Sequence, residues 1–557
     1  MFPGLQQFRS YRMAWLRADL TAGITVAAYL IPQAMAYATL AGLSPVAGLW
    51  AALVPLAVYA VLGSSRQLAA GPEASTTAMT AATLGPIAGG DPGRYAALAA
   101  ALALLVGVIC LVGGIARLGF IANLLSRPIL VGYMAGVALV MIAGQLGKVT
   151  GTESSGYEFL GQVTTFAKHI IDIHWPTLIL ATAVVVVQVV LSMRDSRLPG
   201  PLIAVALTSA AVMVWSLETR GIAVVGSVPT GLPSLEIPAL HPADLTALIF
   251  PAAGIAMVAF SDNVVTARVF AARRGEEIDT NAEMRALGVC NLGVGLTQGF
   301  PVGSDETRTA MSCALGSRTQ LYSLTVLGAV FLVLTLGGGL IAAVPLAALG
   351  ALVLVAAVQL IDLSEFRRLA RFRRSELILA FATTAAVVSL GVLYGVLVAV
   401  ALSILDLLRR VARAHDSVLG FVQGLPGMHD MDDYPQAELV AGLVIYRYDA
   451  PLCFANAEDF RRRALQAVDD YPPPVKWFVL NAEANSEVDL TALDALERLR
   501  RELGRRGVVF AMARVKQDLR DALQAAGMLD AIGDDHIYAT LPTAVAAFRQ
   551  RDGVTGD

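Results

Sequence analysis

GPEASTTAMT, Gly71 to Thr80, and GSDETRTAMS, Gly303 to Ser312, are the two stretches on which the reading of the chain turns. Both begin with Gly, place an acid third and a hydroxyl fifth, then run Thr-Ala-Met and another hydroxyl. Each lies downstream of a matching phrase, DLTAGI from Asp19 and DLTALI from Asp244, in the same order and at similar spacing. A repeated order is the mark of a duplicated architecture.

Composition sets the medium. Of 557 residues, 56% are hydrophobic and 15% charged, and mean hydropathy is +0.64, against about 25% charged residues in soluble domains. Runs such as Ala97–Ala116, Leu178–Met193 and Leu321–Val344 approach or exceed the roughly 20 residues that cross a bilayer, so a polytopic membrane protein in the lipid bilayer is expected. The N-terminus MFPGLQQFRSYRMAWLRADL is polar and basic, without the short apolar run and cleavage site of a signal peptide. Cys110, Cys290, Cys313 and Cys453 have neither metal nor disulfide spacing. The six histidines carry no metal pattern, and no Gly-x-x-x-x-Gly-Lys-Ser/Thr loop is present. No cofactor, enzyme chemistry or nucleic-acid partner is therefore expected, and energy must come from ion gradients.

Apolar blocks divided by breakers give about fourteen membrane segments over residues 18–411, two of them short. Arginines gather in alternate connections, from Arg9, Arg12 and Arg17 through Arg117 and Arg127, Arg194 and Arg197, to RRLARFRR and RRVAR. The intervening GTESSGYEFL and SVPTGLPSLEIPALHP are poor in basic residues. The positive-inside rule puts the N-terminal segment 1–17 and everything after Arg413 in the cytoplasm of an inner or plasma membrane. DLTAGI then enters from one side and DLTALI from the other, as in inverted repeats, and the two ten-residue stretches begin short helices that face each other at mid-membrane. Beyond, residues 412–434, rich in Gly, Pro and Asp, read as a linker. Alternating strand and helix patterns over 435–550 predict a small α/β domain, with 551–557 as a tail.

IPQAMAYATLAGLSPVAGLW (Ile31 to Trp50), NAEMRALGVCNLGVGLTQGFPV (Asn281 to Val302) with the following RTA, and IYRYDAPLCFANAEDF (Ile445 to Phe460) together resemble the SulP sulfate-permease family, relatives of pendrin and prestin. The last stretch resembles the opening of a STAS domain. The resemblance implies a seven-plus-seven inverted-repeat fold with core and gate domains and an anion held between facing half-helices. It further implies an elevator-like core movement, a homodimer and a cytoplasmic STAS domain.

Two opposed helix N-termini direct unpaired N–H groups and positive dipole ends at one point. Ser75 and Thr307, and more weakly Ser304, are candidate hydroxyl donors, unless they only cap the helices. Arg308 is an intramembrane charge; the resemblance implies that it attracts the anion, while an ion pair with Asp305 or Glu306 is the alternative. Asp262, the lone acid after LIFPAAGIAMVAF, matches a family position linked to cation coupling; the alternative is a pair with Arg308 or a wet helix end. Gln33, after Ile-Pro, is either a substrate ligand or a satisfied kink amide. Glu73, Asp305 and Glu306 depart from the small, hydroxyl or aromatic residues usual in the family. As carboxylates they suit helix starts, yet near an anion they require protonation or a bound cation. In the C-terminal part, DLTA at Asp489 replaces the phosphorylatable Asp-Ser-Ser-Gly of anti-sigma antagonists and reads as a helix cap.

The expected function is uptake of sulfate, or another small anion, driven by a coupling cation: protons, with sodium as the alternative. Sodium-coupled bicarbonate or proton-coupled dicarboxylate transport would keep the same fold. An anion channel or a non-transporting STAS sensor is the rival of another class.

Overall fold

A computed structural model describes residues 3–9, 11–89, 91–123, 126–152, 159–194, 198–227, 231–239, 241–472 and 474–552. Arg197, most of GTESSGYEFL, part of SVPTGLPSLEIPALHP and the tail beyond 552 lie outside the described residues. The chain divides into two compact units, Met1–Ser403 and Ile404–Asp557.

Helices stand where the fourteen segments were expected. In the first half these are α1 (Leu16–Leu40), α2 (Pro45–Leu62), α3 (Ala74–Ala88), α4 (Pro92–Ile115), α5 (Arg127–Thr150), α6 (Trp175–Arg194) and α7 (Gly200–Val214). The second half supplies α8 (Pro242–Ala272), α9 (Thr280–Leu296), α10 (Glu306–Ala314), α11 (Leu321–Leu336), α12 (Leu346–Leu360), α13 (Arg374–Leu390) and α14 (Val392–Ala412). Length and hydropathy alone mark seven spans among the described residues, with α7 and α11 as shorter apolar helices. The repeat identifies the others. α9 carries Glu283 and Arg285, α14 ends in Arg409 and Arg410, and α3 and α10 are half-crossings.

The membrane helices pack as two groups. α4 lies along α9, α1 along α11, and α2 against α9, while α8 touches both half-helices. In the other group α5 packs against α12 and α13, and α6 against α7 and α12. Small residues permit these contacts: a Cβ at Gly132 of α5 would lie 2.1 Å from the Ala380 carbonyl oxygen of α13.

The second unit contains a six-stranded sheet in the order β4-β3-β5-β6-β7-β8, from β3 (Asp416–Phe421), β4 (Met428–Asp430), β5 (Leu443–Tyr448), β6 (Trp477–Asn481), β7 (Val509–Ala513) and β8 (Ile537–Tyr538). β5 to β8 are parallel, and β3 is antiparallel to both neighbours. Alternation splits each strand between two faces. Val444, Tyr446 and Phe478 meet α15 (Ala457–Asp469) and α16 (Leu490–Arg505), whereas Ile445, Val479 and Ala511 meet α18 (Leu541–Asp552) beyond α17 (Gln517–Ala525).

Two boundaries need correction. Residues 412–434 are not a linker, because β3 and β4 form a hairpin whose first strand pairs with β5. The tail does not begin at 551, because α18 continues through Asp552.

Candidate functional site

The two ten-residue stretches meet. β1 (Ala70–Gly71) and β2 (Gly303–Ser304) pair antiparallel, with Ala70 opposite Ser304 and Gly71 opposite Gly303. The Asp305 amide continues this ladder by donating to the Ala69 carbonyl at 3.0 Å. Each strand then turns into a half-helix, α3 after Glu73 and α10 after Asp305, so the two helix starts are tied by main-chain hydrogen bonds. The charged side chains cross over. Glu73 lies against Gly303, where a Cβ would sit 3.1 Å from Cγ of Glu73, and Arg308 lies against Gly71, 3.7 Å from the position of a Cβ there.

Both acids cap the helices they precede. The Glu73 carboxylate accepts from the amides of Ser75 and Thr76, each at 2.6 Å, and from the Ser75 hydroxyl at 2.8 Å. Asp305 accepts from the Arg308 amide at 2.7 Å. Ser75 thus has its hydroxyl and amide turned to Glu73. Arg308 is fully buried. One Nη donates to the Pro72 carbonyl at 2.7 Å, Nε lies 3.6 Å from Asp305, and Nε and the other Nη have no hydrogen-bond partner among the described residues. The Ser304 hydroxyl and the Thr76 hydroxyl are likewise buried without a partner among the described residues. This is a set of unspent donors around the ladder, next to a carboxylate that occupies the start of α3.

The remaining candidates surround this set. Gln33 follows Pro32 inside α1 and donates to the Tyr37 hydroxyl at 2.8 Å and to Asp305 at 3.4 Å. With Thr307 it lines a cavity of about 130 Å³ shared with Gln188, Ser192 and Gln359 of the other helix group. Glu306 and Thr307 are exposed, while Asp262 is partly buried on α8. No hydrogen-bond or ion-pair partner of Asp262 is found among the described residues, and Arg308 pairs with Asp305 instead. The charges acting on Asp262 are those of Glu73, Glu306 and Asp305. Every predicted site residue therefore belongs to one neighbourhood.

The sequence profile described as the sulfate permease family matches residues 16–383, and a STAS domain profile matches 434–544. The chain belongs to the sulfate permease family. This SulP protein is 65% identical over 549 residues to a Mycobacterium tuberculosis H37Rv protein named "Probable sulfate transporter Rv1739c", covering 99% of this chain and 98% of that one. It is 30% identical to the Arabidopsis thaliana "Sulfate transporter 4.1, chloroplastic", covering 98% and 82%. The murine anion transporter Slc26a9, solved in an inward-facing state, shares the fold with a TM-score of 0.91 at 23% identity, covering 99% of this chain and 94% of that one. Family and fold are those of a membrane transporter, not of an enzyme.

Several residues of this SulP protein escaped the sequence reading. Glu283 is fully buried and accepts from Tyr59, from the Ser64 hydroxyl and amide, and from Asn263, joining α2, α8 and α9. Asp19 and Asp244, recognised only as repeat markers, hold equivalent places in the two halves. Asp19 accepts from the Arg318 amide at 2.6 Å, ahead of α11, and Asp244 pairs with Arg94 at 2.8 Å, at the start of α4. Lys148, near the end of α5, donates to the Thr39 carbonyl of α1 at 2.7 Å and so bridges the two helix groups. Tyr133 of α5 is buried, its hydroxyl has no partner among the described residues, and the Glu73 charge acts on it. The signal for Tyr37 was its place four residues after Gln33; Tyr133 and Lys148 depend on packing between distant helices.

Proposed function

We propose that this SulP protein imports sulfate by symport with protons. The observation that carries the reading is the buried Arg308 guanidinium, two of whose nitrogens lack hydrogen-bond partners among the described residues where the half-helix starts meet. A buried cation with unspent donors favours a compact oxyanion, and the names of the similar proteins support sulfate as that oxyanion. Gln33, Ser304 and Thr307 add neutral donors nearby.

The carboxylates supply the coupling. With Glu73 ionised, its own oxygens take the amides and hydroxyl at the start of α3, so an incoming anion meets a resident one. A proton on Glu73 weakens that capping and releases those donors to the substrate, including the Ser75 hydroxyl. Asp262, with Glu73, Asp305 and Glu306 around it and no hydrogen-bond or ion-pair partner among the described residues, is the second proton carrier. The helix group bearing the half-helices then moves as one body against the group containing α5, α6 and α12, in an elevator-like cycle. The chain works as a homodimer with its N-terminus and STAS domain in the cytoplasm.

Uptake of labelled sulfate into proteoliposomes, with and without an inward proton gradient, tests this. Accumulation above equilibrium only with the gradient is expected. Uptake of bicarbonate or a dicarboxylate in place of sulfate would overturn the cargo, and equal sulfate accumulation without the gradient would overturn the coupling.

A further inference from the structure

The helix Leu363–Phe372, between α12 and α13, has the sequence LSEFRRLARF. At 100° per residue, Leu363, Phe366, Leu369 and Phe372 fall on one side, and Arg367, Arg368 and Arg371 on the other. The apolar side is only partly used by the protein. Leu369 is buried and Phe366 meets Phe381 of α13 at 5.4 Å between ring centres, but Leu363 and Phe372 are 61% and 65% exposed. Arg127, at the start of α5, clamps this helix through Glu365 with contacts of 3.0 and 2.9 Å, and Glu365 also takes Arg368 at 3.2 Å. That one carboxylate is shared by two arginines. Arg367 and Arg371 have no ion-pair partner among the described residues.

These groups line a cavity of about 700 Å³, in which Arg127, Arg367, Arg368 and Arg371 outnumber Glu365 and Glu376. We propose that it binds the phosphate headgroup of an anionic phospholipid, with the acyl chains lying over the exposed Leu363 and Phe372. Arginine matches phosphate with paired, planar donors. Basic residues beside membrane helices attract anionic lipid, and an amphipathic helix with exposed apolar side chains belongs in the interface plane. A soluble anion would answer the arginines but leave the adjoining apolar side chains in water; a lipid answers both. The groove is separate from the half-helix site, so the proposal stands independently of the cargo.

The test is native mass spectrometry of the full-length protein released from vesicles of equal phosphatidylglycerol and phosphatidylcholine. The protein is expected to retain phosphatidylglycerol several-fold over phosphatidylcholine, and the pair Arg367→Gln with Arg371→Gln to lose most of that preference. The pair Arg367→Lys with Arg371→Lys, which keeps the charge, should restore part of it and controls for folding. Unchanged preference in the Gln pair would overturn the assignment. So would displacement of the lipid by millimolar inorganic phosphate, which would mark a soluble-anion site.

Discussion

Arg308 gathers the energetics of the site into one side chain. Its guanidinium is fully buried, with one bond to the Pro72 carbonyl and two nitrogens without a hydrogen-bond partner among the described residues. A hydrogen bond to a charged group contributes about 1.5–3 kcal/mol. Loss of the cation in Arg308→Ala should therefore lower sulfate uptake at least about tenfold, with the protein still monodisperse; unchanged uptake kinetics would remove Arg308 from the site. Asp262, which has no partner among the described residues, is the residue on which the proposed coupling is tested. Asp262→Asn is expected to allow sulfate to equilibrate while abolishing accumulation driven by the proton gradient. Retention of full gradient dependence would exclude it. The residue types at these places were legible in one dimension because they break the apolar pattern. That Ser75 turns to Glu73 and not toward an open site was not, since side-chain direction is settled by close neighbours.

Two elements make the sharpest demands on shape. The β1–β2 ladder brings Gly303 so close to Glu73 that a Cβ would lie 3.1 Å from Cγ and 3.2 Å from Oε1. Gly303→Val should displace the Glu73 cap and abolish gradient-driven uptake, as flux assays would record, while wild-type flux would mean that Glu73 has room to spare. The contact from Lys148 to Thr39 joins α5 to α1 across the helix groups. In Lys148→Met the end of α1 loses this tie, and hydrogen exchange over 39–42 should quicken by on the order of tenfold; identical exchange would make the contact incidental. Elements that repeat or alternate in hydropathy were legible. The hairpin of β3 and β4 was not, because its strands are short, joined by a turn rich in Gly and Pro, and defined by pairing with β5 further along the chain.

At the scale of the whole molecule, the C-terminal unit carries a pH-sensitive pair of its own. In the C-terminal unit His415 bonds Asp430 at 2.8 Å. That hydrogen bond holds the imidazole above its ordinary 6.5, with Asp449 and Asp432 adding to it against burial. Burial pushes Asp430 up, but the bonds from Ser417 and His415 outweigh it and leave the carboxyl below 3.8. The raised histidine stabilises fully below 6.5 and loses its effect as pH rises through its folded value. The depressed carboxyl stabilises above 3.8 and fails as pH falls through its own. Their shared window lies between those two ordinary values. The melting temperature of this unit in the full-length protein should fall in His415→Gln most within that window, and the gap should close in mildly alkaline buffer; a gap independent of pH would deny the pair any role. The overall plan was legible because a duplicated, inverted order survives in the residues themselves. Contacts such as Glu283 with Tyr59 were not, since nothing local announces them. The crossing of Glu73 over Gly303 and of Arg308 over Gly71 has a consequence for biogenesis: each half of the chain lacks a wall that only the other provides. In the proposed reading, a nascent chain that has inserted its first seven helices has nothing with which to hold an anion, and the pocket comes into being only after residue 308 has left the ribosome and reached its seat in the bilayer.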